Sequence, residues 1–246
     1  GFVSLLPGGE RAADAIWLDG REMARGGTME LRHAGWDSTR GFDRQRVIDP
    51  DVCSCCQTDA VRVGNDLLVV YRDHAAGEIR DISMIRRTES GWEAPSRFSD
   101  DGWHISACPV NGPAIDAQGD HVVVTWFTQA KDEPKVLARF STDGGHQWSP
   151  TLRIDQGDPI GRVDVSMLAD GGWAVSWLEN ETTDAAILLR RFDSERGALD
   201  EAIKLGQTGA QRDSGFPQIG HDGQQLWATW TETSRPSRVR LSMIRW

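Results

Sequence analysis

The chain has 246 residues, 39% of them apolar and 26% charged, and its 37 acidic against 27 basic side chains leave a formal charge of −10 at pH 7. So acidic a chain repels phosphate backbones and anionic lipid surfaces, which argues against a nucleic-acid partner. No stretch approaches the roughly 18 consecutive apolar residues of a membrane helix, so no membrane insertion is expected. The 26 Gly and 11 Trp against a single Tyr favour short strands and tight turns.

The sequence opens at Gly1 without a basic or apolar leader, so any signal peptide lies outside it. A first alternating run, Phe2 to Leu5, is followed by Ala15 to Asp19 around Trp17, then by Met29 to Arg32 and a weaker run from Arg46 to Ile48. The same succession returns along the chain. A second repeat carries Ala60 to Val63, Val69 to Asp73 around Tyr71, and Ile82 to Ile85; a third carries Pro113 to Asp116, Val124 to Thr128 around Trp126, Val136 to Arg139, and Leu152 to Ile154. Val175 to Glu179 with Ile187 to Arg190 marks the fourth, and Ala228 to Glu232 with Val239 to Ser242 the fifth.

The central aromatics Trp17, Tyr71, Trp126, Trp177 and Trp230 thus recur about every 50 residues. Short period-two runs separated by Gly, Asn and Asp turns read as antiparallel strands. Four of them per repeat, lettered A to D from the innermost outward, predict an all-β chain, a β-propeller of four-stranded blades. The expected blades are 1–49, 56–100, 112–155, 162–206 and 215–246, in a single domain. Mid-strand aromatics in such a stack are core residues, which makes Tyr71 a packing residue. The last repeat ends after its strand C, so a missing N-terminal segment or a partner chain is expected to complete the ring.

Ser141-Thr142-Asp143-Gly144-Gly145-His146-Gln147-Trp148 fits S-x-D-x-G-x-x-W at the turn from strand C to strand D of the third repeat, and Arg87 to Trp92 is a degenerate copy. Its physics is a tight turn, with the Asp carboxylate accepting backbone N–H groups and Gly145 permitting positive φ. The repeat length and this turn resemble the Asp-box, or bacterial neuraminidase, repeat of the sialidase superfamily. That resemblance implies six blades, with one absent from the amino side, and a periplasmic or secreted protein. It also implies a ligand face opposite the Asp-box turns, built from the B–C and D–A loops.

On that face the resemblance implies binding of an acidic glycan and hydrolysis of terminal sialosides. Arg72, Arg162 and Arg212 come from three repeats, as the sialidase arginine triad does, and guanidinium forks match a sugar carboxylate. Structural ion pairs with Asp73, Asp164 and Asp213 are the competing reading of the same arginines. Asn111 joins the substrate-binding set; Glu179 and Glu232 would polarise a nucleophile, and Asp73 or Asp19 would serve as acid. Tyr71, in the packing column, is a poor nucleophile, and no F/Y-R-I-P segment is present.

Cys53, Cys55 and Cys56 precede strand A of the second repeat, and Cys108 holds a nearly equivalent place before the third. In an exported protein the default is a disulfide from Cys108 to one of the other three. The alternative is a non-catalytic propeller with a thiolate metal site at all four cysteines. Their spacing is not that of zinc, whereas copper would accept two or three thiolates, with His104 or His74 nearby. No other cofactor is expected. His33, His121, His146 and His221 read as solvated surface groups.

Overall fold

The computed structural model describes residues 2–193 and 197–245. The outer limits of the expected first and last blades, residues 1 and 246, lie outside the described residues. Two compact units divide the chain, Gly1–Pro113 and Ala114–Trp246.

The first unit holds two antiparallel sheets. One is formed by β1 (Val3–Pro7), β2 (Ala12–Asp19), β3 (Glu30–Asp37), β4 (Gly41–Phe42) and β5 (Arg46–Asp49), the last two both pairing β3. The other contains β6 (Asp59–Val63), β7 (Asp66–Arg72), β8 (Ile82–Thr88), β9 (Gly91–Trp92) and β10 (Ser96–Arg97). Residues 98–113 return across the end of that sheet without a strand of their own.

The second unit holds three sheets. They are β11 (Ala114–Gln118) to β14 (Leu152–Arg153) by way of β12 (His121–Thr128) and β13 (Lys135–Ser141); β15 (Pro159–Met167), β16 (Trp173–Asn180), β17 (Ala185–Asp193), β18 (Gly197–Ala198) and β19 (Ile203–Thr208); and β20 (Gln218–His221), β21 (Leu226–Glu232) and β22 (Arg238–Ile244). Each sheet is a meander of sequence neighbours, as the repeat predicts, and the fifth has three strands among the described residues.

The second strand of each sheet carries the core. Leu67 to Tyr71 are all fully buried on β7, as are Trp126 on β12 and Trp177 on β16, because both faces of these strands are covered. Trp17 and Trp230 are half-buried. Within the second unit the inner strands are tied by carboxylates: Asp116 accepts the backbone N–H of Met167 at 2.7 Å, and Asp164 that of Ile219 at 2.7 Å. The Ser141–Trp148 turn closes as its residue types dictate. Asp143 Oδ1 accepts the N–H groups of His146 and Gln147 at 3.1 and 2.8 Å, and Gly145 sits at φ 81°.

One surface expectation is corrected. His33 is buried, with Nε2 2.6 Å from Asp14 Oδ1, because Asp14 beneath it needs partners.

Candidate functional site

In the first unit three loops converge at the end of β7. Residues 50–58 lie along it, the Cys53 N–H donating to the Arg72 carbonyl at 3.1 Å. The β7–β8 loop closes with the Asp73 N–H on the Asp81 carbonyl at 2.9 Å, and the Arg80 N–H donates to Trp103 of the 98–113 loop at 2.8 Å. Arg72, 1% exposed, is the hub. Its Nε donates to the Asn111 carbonyl at 2.7 Å, its Nη1 to the Arg80 carbonyl at 2.5 Å, and its guanidinium covers the Trp103 ring at 4.7 Å. A charge buried this deeply needs such fixed acceptors.

A reciprocal amide clamp sits beside it. The Gly112 N–H donates to Gln57 Oε1 at 2.7 Å, and Gln57 Nε2 donates to the Gly112 carbonyl at 3.2 Å. A Cβ on Gly112 would stand 1.9 Å from the Gln57 carbonyl oxygen, so only glycine allows the two backbones this close.

The cysteines meet in the same place. Cys55 and Cys108 form a disulfide between Cα atoms 6.0 Å apart. Two of the four sulfurs expected as metal ligands are thereby bonded to each other. Cys53 and Cys56 remain thiols, both 1% exposed, with sulfurs 3.5 Å apart, and Cys53 Sγ is 3.8 Å from Cys55 Sγ. The Cys56 thiol and the Cys55 N–H, with the charges of Arg72 and Arg80, hold the Cys53 thiol below its ordinary range against the opposing effect of burial. Burial pushes Cys56 upward, and the proton it shares with Cys53 adds to this.

Arg80, in contact with both Cys53 and Glu78, joins the sulfurs to a polar rim. His74 Nδ1 is 2.8 Å from Asp51 Oδ1, and its Nε2 is 3.4 Å from Glu78 Oε1. Arg80 Nη2 donates to the other Glu78 oxygen at 2.7 Å. The side chains of His74, Asp51 and Glu78 keep 27, 43 and 39% of their exposure. The hydrogen bond to Asp51 raises the His74 pKa most, burial opposes it, and Glu78 adds to the rise, so imidazolium persists above the usual histidine range. Glu78 takes φ 60°, a left-handed conformation uncommon outside glycine.

The remaining expected site residues are distributed between the units. In the first, Asp19 is buried, accepting from Trp17 Nε1 at 2.9 Å and pairing with Arg21 at 2.6 Å. The bond to Arg21 holds its carboxyl far below the ordinary range, a state that offers no proton near neutrality. Asp73 accepts the N–H of His74 at 2.8 Å and the hydroxyl of Ser83 at 3.1 Å. Tyr71 is fully buried, with its hydroxyl on Asp49 at 2.5 Å and its ionisation pushed far upward by burial.

In the second unit Glu179 accepts from Trp177 Nε1 at 2.7 Å, repeating the Trp17–Asp19 arrangement two residues past the central aromatic. Glu232 pairs with Arg240 at 2.7 Å. Arg162 is 5% exposed and bonds the carbonyls of Gln211 and Gly215 at 2.8 and 3.1 Å and the hydroxyl of Ser214. Arg212, on the short 3-10 turn Arg212–Ser214, is exposed. Of the three expected arginines, Arg72 and Arg162 are therefore buried and Arg212 is exposed. A separate hollow of about 460 Å³ opens between β11, β15 and β20 at their A–B turn end, away from the B–C loops.

Sequence reasoning missed Asp51, Glu78 and Arg80, and it placed Trp103, like Gln57 within the Cys53 to Asp59 stretch, on a D–A loop without assigning either a role. His74 and Glu78, four apart across Gly77, are one signal that could have marked the rim. Gln57 directly after the cysteine run is another.

No protein-family model matches the chain, and no curated protein matches it in sequence. Solved structures resemble it over its whole length. AofleA from Arthrobotrys oligospora aligns at TM-score 0.63 and 14% identity over 99% of this chain and 69% of its own. A polysaccharide lyase of family PL25, an ulvan lyase bound to -[GlcA(1-4)Rha3S]-, aligns at 0.59 and 11% over 98% and 66%. An endo-arabinase from Bacteroides thetaiotaomicron aligns at 0.51 and 12% over 99% and 93%. The chain thus spans about two thirds of the first two proteins. At these identities the likeness shows the fold, and the fold class is the β-propeller.

Proposed function

We propose that the chain is an exported carbohydrate-binding propeller that takes its ligand at the rim of the first unit, over the loops that converge on Arg72. The observation that carries this reading is the imidazole of His74 set between the carboxylates of Asp51 and Glu78, all three part-exposed. Such a group donates and accepts hydrogen bonds at once, which suits vicinal sugar hydroxyls, and it holds a mobile proton for acid/base work. Support from likeness is coarser: one solved neighbour is a polysaccharide lyase with an oligosaccharide bound and another is an endo-arabinase. The disulfide is consistent with export to an oxidising compartment, and no helix among the described residues is long and apolar enough to cross a membrane.

The finer reading is an acidic glycan, whose carboxylate would meet the His74 imidazolium. Sialoside hydrolysis draws no support from Tyr71, whose phenol is buried and bonded to Asp49. The test is a glycan array probed with the chain, followed by calorimetric titration of the strongest uronate-containing ligand. His74→Ala should weaken that ligand by about tenfold or more with Tm unchanged. Affinity should hold below pH 6.5 and fall only as pH rises through the raised His74 pKa, because imidazolium is the form that donates from both nitrogens. An array without acidic-glycan binding, or a His74→Ala protein that binds as tightly as wild type, would refute the proposal.

A further inference from the structure

The cysteine run has no part in that reading. Its three sulfurs, those of Cys53, Cys55 and Cys56, lie within 4.8 Å of one another, and no imidazole or carboxylate joins the group among the described residues. Two of the three are buried thiols. The third is tied to Cys108, which is exposed and within reach of an external thiol.

We propose that Cys53, Cys55 and Cys56 form a site for a soft d10 cation, Cu(I), which the Cys55–Cys108 disulfide keeps closed and reduction opens. Donor chemistry selects the ion: an all-sulfur set suits Cu(I) and is foreign to the hard cations, and three ligands from one short segment fall short of a structural zinc tetrahedron. The spacing agrees. A metal–sulfur bond of about 2.3 Å puts three sulfurs about 4 Å apart round a trigonal ion, and the separations from Cys53 are already 3.5 and 3.8 Å. Three thiolates round a monovalent ion carry two net negative charges, which the neighbouring guanidiniums of Arg72 and Arg80 offset.

Opening is a balanced exchange. Two equivalents of a small thiol supply two electrons and two protons and leave as their own disulfide, while the Cys55–Cys108 bond breaks to give two thiols. Cu(I) then displaces the thiol protons of Cys53, Cys55 and Cys56 to solvent.

The experiment loads the chain anaerobically with Cu(I) as its acetonitrile complex, against a competing Cu(I) chelator, and measures retained copper and the number of sulfur neighbours by X-ray absorption. Expected are equimolar copper with three sulfur ligands in the reduced protein, and about a tenth or less of that in the disulfide form, whose two thiols stand 3.5 Å apart where a linear two-coordinate ion needs about 4.6 Å. Cys108→Ser leaves both buried thiols in place and frees Cys55, so it should load equally well with no reductant. Cys53→Ser and Cys56→Ser should lose the copper. The proposal falls if the disulfide form retains as much copper as the reduced one, if the reduced protein retains none, or if Cys108→Ser still requires reduction. Because copper loading needs no glycan, failure here leaves the carbohydrate reading untouched, and the reverse also holds.

Discussion

Asp14 illustrates how one carboxylate organises a region of the first unit. It is buried on β2 yet meets His33 at 2.6 Å, Arg87 at 2.9 Å and also Arg62. Burial alone would raise its pKa; the His33 hydrogen bond and the charges of Arg87, His33 and Arg62 outweigh that and lower it to about 2. A depressed carboxylate contributes stability that is complete above the unfolded value near 4 and is lost as pH falls through about 2, here about 2 kcal/mol. Asp14→Ala should therefore cost about 3 kcal/mol at pH 7, since it leaves the buried His33 and the half-buried Arg62 and Arg87 without their shared carboxylate. It should also flatten the acid limb of Tm between pH 4 and pH 2. A melting series across that range checks both, and an unchanged limb would exclude Asp14 as its source. Sequence alone did not reveal this cluster. His33 sits in a strand whose neighbours alternate normally, and its burial depends on arginines 54 and 29 residues away that periodicity does not connect.

Strands join their neighbours through a recurring device. Asp116 on β11 and Asp164 on β15 each cap a backbone N–H of the next inner strand in the second unit. An ion pair with Arg162 is one of two readings the sequence offers for this region; in the structure both Asp164 oxygens accept backbone N–H groups, from Val165 and Ile219. Burial raises the pKa of Asp116, the cost of holding this carboxylate inside, and the N–H groups of Met167 and Ala117 lower it in part. Replacing either residue by Ala leaves a buried N–H without its acceptor, so Asp116→Ala and Asp164→Ala should each lose about 1 to 3 kcal/mol in urea unfolding. A loss below about 0.5 kcal/mol would show that water takes over the role. The sequence did not reveal this bond, because it runs between repeats and leaves no mark on the spacing within one.

For the molecule as a whole, the fold was legible and the site was only partly so. Five aromatic columns and their flanking alternations define five sheets because strand periodicity and turn chemistry are local properties. The same columns carried the misleading signal. Asp19 and Glu179 looked catalytic from their place at a loop, whereas their position two residues past a Trp serves to satisfy its indole N–H. Arg72 and Arg162 looked like ligand forks, yet each is buried and ties loop carbonyls together. Charge and topology cannot separate these uses, since the acceptors are backbone atoms. Cys55–Cys108 spans 53 residues, and a loop of that length is worth about 4 kcal/mol in chain entropy. Reduction without metal should lower denaturant stability by that order, measured with and without a small thiol, and an unchanged midpoint would mean that Gln57 and Gly112 already hold the loops.

That last pairing bears on how the chain matures. Three cysteines compete for Cys108 during oxidation, and thiol reactivity in the folded protein would favour Cys53 rather than the Cys55 that wins. The interlocked amides of Gln57 and Gly112 act as a splint, laying one loop on the other so that a single suitor is within reach. Gly112→Ala, by prying the splint apart, should yield a mixture of Cys108 partners in peptide mapping of the refolded protein; one homogeneous bridge would show that the selection is made elsewhere.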